Sequence, residues 1–185
     1  MRHHPLIRAL HWLIAGLIIA ALLMSALVMP LIAVDSPEMI TSLRRHMMTG
    51  LLVFVLTLSR FVLHRYVKML PTPSSGMAWA DWLANAVRHL FNVLILTMVA
   101  SGVGMAILGG LFPVVFGGHG ELPANLAALP LHAIHRYTAI TLFAILSLHI
   151  GGAFFHQFIR RDGLLSRMGF GCPWKRRAQV SEAAK

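Results

Sequence analysis

The sequence predicts an all-α integral membrane protein, a four-transmembrane-helix bundle of up-down-up-down topology. Two observations predict this fold class. Hydrophobic residues make up 57% of the 185 residues and charged residues only 12%, about half the charged share of a soluble domain. The few charges also leave three stretches, 9–34, 89–120 and 137–159, without any formal charge, and each reaches the roughly 20 residues that a helix needs to cross a bilayer. This pattern excludes a soluble enzyme, a disordered tail and a nucleic-acid-binding module.

Four spans are predicted, at about 6–29, 45–65, 82–108 and 131–158. The first ends near Pro30, because proline ends or kinks a helix. The second contains Arg60, and a long arginine near a helix end can extend its charge to the membrane surface. A turn-rich linker, 69–77, separates the second span from the third, and a Gly/Pro-rich loop, 109–130, precedes the fourth.

The basic residues predict the orientation of the bundle. With both termini in the cytoplasm, the far side receives only Arg44, Arg45 and Arg136. The cytoplasmic side receives the others: Arg2, Arg8, Arg60, Arg65, Lys68, Arg88 and every basic residue from Arg160 onward. Such an excess of positive charge is typical of cytoplasmic loops. Residues 1–170 therefore form one membrane domain, and 171–185 form a basic cytoplasmic tail.

Eleven histidines are the chemical anomaly of this apolar chain. Four of them, His3, His4, His64 and His119, fall in loops or at helix ends, where solvated or interfacial side chains are expected. The other seven lie at or inside the spans: His11, His46, His89, His132, His135, His149 and His156. An ionisable side chain at membrane depth is costly, and it normally faces the bundle interior with a partner.

Depth divides four of these histidines into two pairs. His11 and His149 fall in the cytoplasmic half of the first and fourth spans, whereas His46 and His135 begin the second and fourth spans on the periplasmic side. His135 and His149 are 14 residues apart, so they project from nearly the same helix face, separated by roughly 21 Å along the axis. The fourth span therefore offers one imidazole to each of two stacked sites.

Two neutral imidazoles in an apolar slot fit the axial positions of a haem iron. Zinc or copper needs a third or fourth ligand, but all six acidic residues fall in loops or at helix ends. A porphyrin supplies four ligands itself. The single cysteine, Cys172, excludes a Cys-ligated cluster, and without a C-x-x-C-H motif the haem is non-covalent haem b. Two haem b groups are predicted, and the alternative is that these histidines only make structural hydrogen bonds.

Six strings, in chain order, carry a resemblance: Arg8-Ala-Leu-His11-Trp12, His46-x-x-x-Gly50, Leu131-His132-x-x-His135, Leu148-His149, Phe155-His156 and Arg161-Asp162-Gly163-Leu164-Leu165-x-Arg167-Met168. They resemble the bacterial cytochrome b561 family, small four-helix di-haem proteins of the inner membrane. The resemblance covers about residues 6–169. It implies axial ligation by His11, His46, His135 and His149, a place among inner-membrane lipids, and electron transfer from superoxide to ubiquinone, the bound substrate.

Three arginines, Arg44, Arg45 and Arg136, are expected near the periplasmic haem. They would pair with haem propionates through their planar guanidinium groups, or form a cationic funnel that attracts superoxide or an acidic partner. His132 comes three residues before His135, and we interpret it as a neighbour of the haem or its propionates and not as a ligand.

At the cytoplasmic end, His156 lies one heptad beyond His149 and is a candidate proton donor for quinone reduction. The alternative is an interfacial residue that anchors the helix. Arg88 and His89 are candidate neighbours of the quinone. Here the chain departs from the family pattern A-H-A-V-H, because it has Ala84-Asn85-Ala86-Val87-Arg88.

Three functions are compatible with the sequence. The first is a self-sufficient oxidoreductase that moves electrons across the inner membrane from a periplasmic-side donor, such as superoxide, to the quinone pool. The second is a haem-bearing anchor or electron-conduit subunit for a periplasmic dehydrogenase or c-type cytochrome. The third is a haem-free transporter or channel whose histidines handle protons or metal ions.

Overall fold

The structure is a computed structural model, and it describes residues 5–34, 36–66, 78–123 and 125–160. These residues form five α-helices: α1 (Pro5–Leu23), α2 (Pro37–Tyr66), α3 (Ala78–Leu108), α4 (Leu111–Gly117) and α5 (Pro130–Phe154). No strand occurs within the described ranges. The predicted linker 69–77, the tail 171–185, the string 161–168 and the residues Arg2, His3, His4 and Lys68 lie outside them.

In the part of the chain that the structure describes, four helical segments are long and apolar enough to span a membrane: Pro5–Leu31, Pro37–Leu63, Trp82–Leu108 and Pro130–Ile159. The all-helical, four-span fold class is therefore confirmed, whereas the cytoplasmic placement of the termini stays a prediction. The first span continues beyond α1 through a π-helical turn, Met24–Val28, and a 3-10 turn, Met29–Leu31. The fourth continues beyond α5 as a π-helical segment, Phe155–Arg160.

The second helix begins at Pro37 and not near residue 45, as the sequence predicted. Its start has a defined cap, because the Ser36 hydroxyl accepts a hydrogen bond from the Met39 amide at 3.2 Å. Proline in the first turn has its backbone angle already set for a helix, and Glu38 in the same turn interacts favourably with the helix dipole. These polar residues start a helix that extends past the apolar span.

The predicted loop 109–130 contains the short helix α4. Gly110 enters it in the left-handed region, at a φ of 62°, where glycine is favoured. The apolar face of α4, formed by Leu111, Val114 and Val115, is buried, with Leu111 and Val115 packed against Ala106 of α3. This segment therefore forms a structured cover over the ends of α2 and α3 and not an open loop.

The middle of the bundle is held together by apolar packing. Ile14 of α1, Val53 of α2 and Ile95 of α3 form one buried cluster, and Leu142 of α5 is also buried. Helix α1 packs mainly on α2, and α3 packs most extensively on α5. The histidines predicted to carry the chemistry lie above and below this apolar layer.

Candidate functional site

One pair of histidines, His46 of α2 and His135 of α5, lies at the end of the bundle that α4 covers; we call it the upper pair. The two ring centroids are 6.1 Å apart and the ring planes are inclined at 68°. Both side chains are half-buried. The structure thus brings together the two histidines that sequence depth placed at one level.

The ring of His135 is fixed by helix α3. Its Nδ1 atom lies 3.1 Å from the Met98 carbonyl oxygen and 3.1 Å from the Ser101 hydroxyl. The Ser101 hydroxyl donates to the Thr97 carbonyl oxygen at 2.7 Å, so its oxygen can accept a hydrogen bond from Nδ1. With its hydrogen on Nδ1, a neutral His135 has an unprotonated Nε2 atom that is free to bind a metal. In metal-binding histidines, a hydrogen bond from the other ring nitrogen orients the imidazole in this way.

A glycine lets the His135 ring approach α3 closely. A Cβ atom added at Gly102 would lie 3.2 Å from Cε1 of His135, which is closer than an ordinary van der Waals contact. Neither Ser101 nor Gly102 was predicted as a functional residue, because small residues in an apolar span normally indicate only helix packing.

The other pair, His11 of α1 and His149 of α5, lies on the opposite side of the apolar layer; we call it the lower pair. Its ring centroids are 6.5 Å apart, with planes inclined at 70°. The Phe91 ring of α3 meets the His149 ring edge-on at 5.4 Å, and Trp12 meets His11 edge-on at 5.5 Å. His11 is half-buried, whereas His149 is exposed.

Both separations fit a metal bound between the rings. A metal held at about 2 Å by one nitrogen of each imidazole requires ring centroids about 6 Å apart. Among the described residues, no group of three or more His, Cys, Asp or Glu side chains could hold a metal ion. Each pair therefore suits a metal that brings its other ligands with it.

The glycines next to the histidines have open surroundings. A Cβ atom added at Gly50, one turn after His46, would meet nothing within 4 Å, and the same holds at Gly152, three residues after His149. In addition, the Nδ1 atom of His46 is buried without a hydrogen-bond partner in the part of the chain described here. Unpaired buried polar atoms are uncommon, so this side chain is suited to a site that a bound group completes.

The family model for prokaryotic cytochrome b561 matches residues 2–171. The chain belongs to the prokaryotic cytochrome b561 family. It is therefore a multi-pass membrane cytochrome that binds haem b and transfers electrons. Neither the curated proteins nor the solved structures include a match to the chain.

Three helices of this cytochrome repeat the same seven-residue step between the two histidine levels. The upper level contains His46, Gly102 and His135; the middle level Val53, Ile95 and Leu142; the lower level Arg60, Arg88 and His149. All three middle residues are less than 7% exposed. Two heptads return to nearly the same helix face, so the residues of one helix in this series lie near one face of that helix.

The lower level includes an arginine that sequence analysis assigned to the membrane surface. Arg60 of α2 is half-buried, it lies within electrostatic range of His11, and Arg88 lies within electrostatic range of Arg60. Its spacing of 14 residues from His46 is the signal that could have identified it, since His135 and His149 have the same spacing.

The arginines predicted near the upper pair are on the surface of the cytochrome. Arg44, Arg45 and Arg136 are all exposed. The Nε atom of Arg44 donates a hydrogen bond of 2.7 Å to the Val115 carbonyl oxygen and so ties α2 to α4. Arg45 borders a shallow surface pocket together with Glu38.

The four remaining predicted residues differ in their surroundings. His132 is half-buried in the first turn of α5, one turn before His135. His156 is half-buried and lies in the π-helical segment, where its ring meets that of Phe155 at 6.0 Å. The heptad relation to His149 assumed a continuous α-helix, so it does not define the direction of His156. Arg88 and His89 are exposed on α3.

Proposed function

We propose that the chain is a di-haem b-type cytochrome that carries electrons across the bacterial inner membrane, from a periplasmic-side donor to the membrane quinone pool. One observation carries the proposal. Two histidine pairs, with ring centroids 6.1 and 6.5 Å apart, lie on two levels of one bundle. A single pair would bind one haem, whereas two stacked pairs would bind two haems that carry electrons across the membrane.

The four histidines define what the sites can do. Haem supplies reversible one-electron chemistry when it is bound. His46 with His135, and His11 with His149, would each hold one haem through two imidazoles. A haem held in this way would have no free position for oxygen, and each site would then carry out outer-sphere electron transfer. The hydrogen bonds to Nδ1 of His135 hold one of these ligands in a fixed tautomer and orientation.

The two ends of the bundle suit different substrates. Near the upper pair, the exposed Arg44, Arg45 and Arg136 create a positive surface, which attracts superoxide or an acidic redox protein by electrostatic steering. At the other end, His156 supplies a titratable imidazole for the protons that ubiquinone reduction consumes. Arg88 and His89 are the further candidate residues of this ubiquinone site.

Haem quantitation and a reduced-minus-oxidised spectrum test the proposal on the purified protein. We expect two haem b groups per chain, and fewer than two would contradict the di-haem assignment. A superoxide flux with added ubiquinone then distinguishes the two oxidoreductase roles. Rapid ubiquinone reduction by the protein alone supports a self-sufficient enzyme. Reduction only after a periplasmic dehydrogenase or c-type cytochrome is added identifies an electron-conduit subunit.

A further inference from the structure

We propose that Arg60, together with Arg8 and Arg88, binds the carboxylates of the haem held by the lower pair and makes it the haem of higher reduction potential. This inference rests on the proposed di-haem function. It assigns a role to an arginine inside a membrane span, and it gives the electron path a direction, from the upper level to the lower.

The position of Arg60 follows from the heptad steps on α2. His46, Val53 and Arg60 are separated by seven residues each, and Val53 is buried in the core. On α5, His135 and His149 have the same spacing as His46 and Arg60. Arg60 therefore lies on the face of α2 that carries His46, at the level where α5 presents His149.

Two other arginines lie close to this level. Arg8 precedes His11 by three residues, so both side chains are on the same side of α1. The Nε atom of Arg8 is buried and makes no hydrogen bond among the residues described. Arg88 of α3 lies within electrostatic range of Arg60. Three helices thus each contribute an arginine at or near the level of His11 and His149.

The long helices offer these cations few acidic partners. Glu38 is the only acidic residue of α2 and Asp81 the only one of α3, whereas α1 and α5 contain none. Glu38 is 22 residues from Arg60, roughly 33 Å along the helix, and Asp81 is seven residues before Arg88. Burying unpaired positive charge in a membrane is expensive. The two carboxylates of a haem are anions of the right kind, since arginine binds carboxylates through two parallel hydrogen bonds.

The charge difference between the levels determines the relative potentials. A nearby positive charge stabilises the reduced form of a haem and so raises its reduction potential. This effect is stronger where water is excluded. Arg60 is half-buried, whereas Arg44, Arg45 and Arg136 at the upper end are exposed and therefore screened. One electron then moves spontaneously from the upper haem to the lower haem, which is reduced as the upper one is oxidised.

The test is a spectroelectrochemical titration of the purified full chain and of its Arg60→Gln and Arg60→Lys variants. We expect Arg60→Gln to lower the midpoint potential of one haem only, and Arg60→Lys to restore most of the shift because it keeps the charge. Arg65→Gln is the matched control. It makes the same charge change on the same helix, at an exposed side chain that lies over the Phe61 ring.

Combining Arg60→Gln with a histidine variant identifies the haem whose potential changes. In His46→Ala, which keeps only the lower haem, Arg60→Gln should lower the remaining potential by the same amount. If Arg60→Gln instead releases the lower haem, haem content should fall from two to one per chain and return with Arg60→Lys. Arg88→Gln should give a smaller shift in the same direction.

Two results would overturn the inference while leaving the di-haem function intact. The first is a wild-type protein with two haems whose potentials are both unchanged by Arg60→Gln. The second is a wild-type potential that changes when anionic phospholipid is added, with no effect of Arg60→Gln in lipid-free detergent, which would assign the arginines to lipid phosphate. A wild-type protein without two haems would contradict the proposed function itself.

Discussion

The upper pair lies where α3 and α5 pack closely, whereas the lower pair lies among aromatic rings, at the level of the half-buried Arg60. At the upper level, His135 is held by the Met98 carbonyl and the Ser101 hydroxyl, and Gly102 allows this close contact. At the lower level, Phe91 and Trp12 meet the imidazoles edge-on. Similar ring separations are thus accompanied by directional hydrogen bonds at one site and by ring packing at the other.

The two sites therefore differ in which property a substitution can change: the orientation of a histidine at the upper site, and the nearby charge at the lower site. Hydrogen bonds to a ligating imidazole fix its orientation and change its basicity. Charges near a haem change the energy of the added electron without moving the ligand. The upper site is therefore expected to be sensitive to small changes of geometry, and the lower site to changes of charge.

Replacing the histidines tests whether the two sites are separate at all. His46→Ala or His135→Ala should release the upper haem and retain the lower one, and His11→Ala or His149→Ala should do the reverse, because each iron would lose one of its two protein ligands. Haem content should fall from two to one per chain in each variant, as measured by a pyridine haemochrome assay. Loss of both haems from all four variants would mean that the levels fold as one unit.

Gly102→Ala should disturb the upper site alone. The added Cβ would lie 3.2 Å from Cε1 of His135, so the ring or the helix must move by a few tenths of an ångström. Overpacking of this kind costs about 1–3 kcal/mol, and we expect roughly tenfold weaker retention of one haem. Gly117→Ala is the matched control, since its Cβ would meet nothing within 4 Å. An unchanged haem affinity and spectrum in Gly102→Ala would argue against a close-fitting upper site.

Ser101→Ala should have the smallest effect of these changes. It removes one of the two hydrogen-bond partners of His135 Nδ1, while the Met98 carbonyl remains at 3.1 Å. Loss of such a partner typically weakens metal binding about 10-fold or more when it acts alone, so here we expect less than that. Electron paramagnetic resonance of the oxidised protein should show an altered signal from one haem. Equal changes in both haem signals would contradict the assignment of Ser101 to the upper site.

Much of this arrangement could be predicted from the sequence, because histidines inside charge-free spans are rare and costly. Their depths alone place His11 with His149 and His46 with His135. Two features could not be obtained in this way. The start of α2 was predicted too late because Ser36, Pro37 and Glu38 are as typical of a polar loop as of a capped helix start. The sequence of α4 predicts a loop because its glycines and proline are more typical of a loop than its short apolar face is of a helix.

The roles of Ser101, Gly102 and Arg60 could not be predicted from the sequence for a different reason. Periodicity tells which residues of one helix share a face, but not which neighbouring helix that face meets. Gly102 and Ser101 gain their role only from the position of His135 on another helix. Arg60 can be interpreted as a surface residue from the sequence, whereas the packing of α2 leaves it half-buried.

Because of the recurring seven-residue step on α2, α3 and α5, the distance between the two sites depends on the number of residues between them on each helix. Deleting one residue between His46 and Arg60, or between His135 and His149, would turn everything beyond it by about 100° and shorten the helix by about 1.5 Å. The affected side chain would then face lipid. Insertions and deletions between the levels would therefore change how the two histidine pairs are placed relative to each other, whereas substitutions there leave the spacing unchanged.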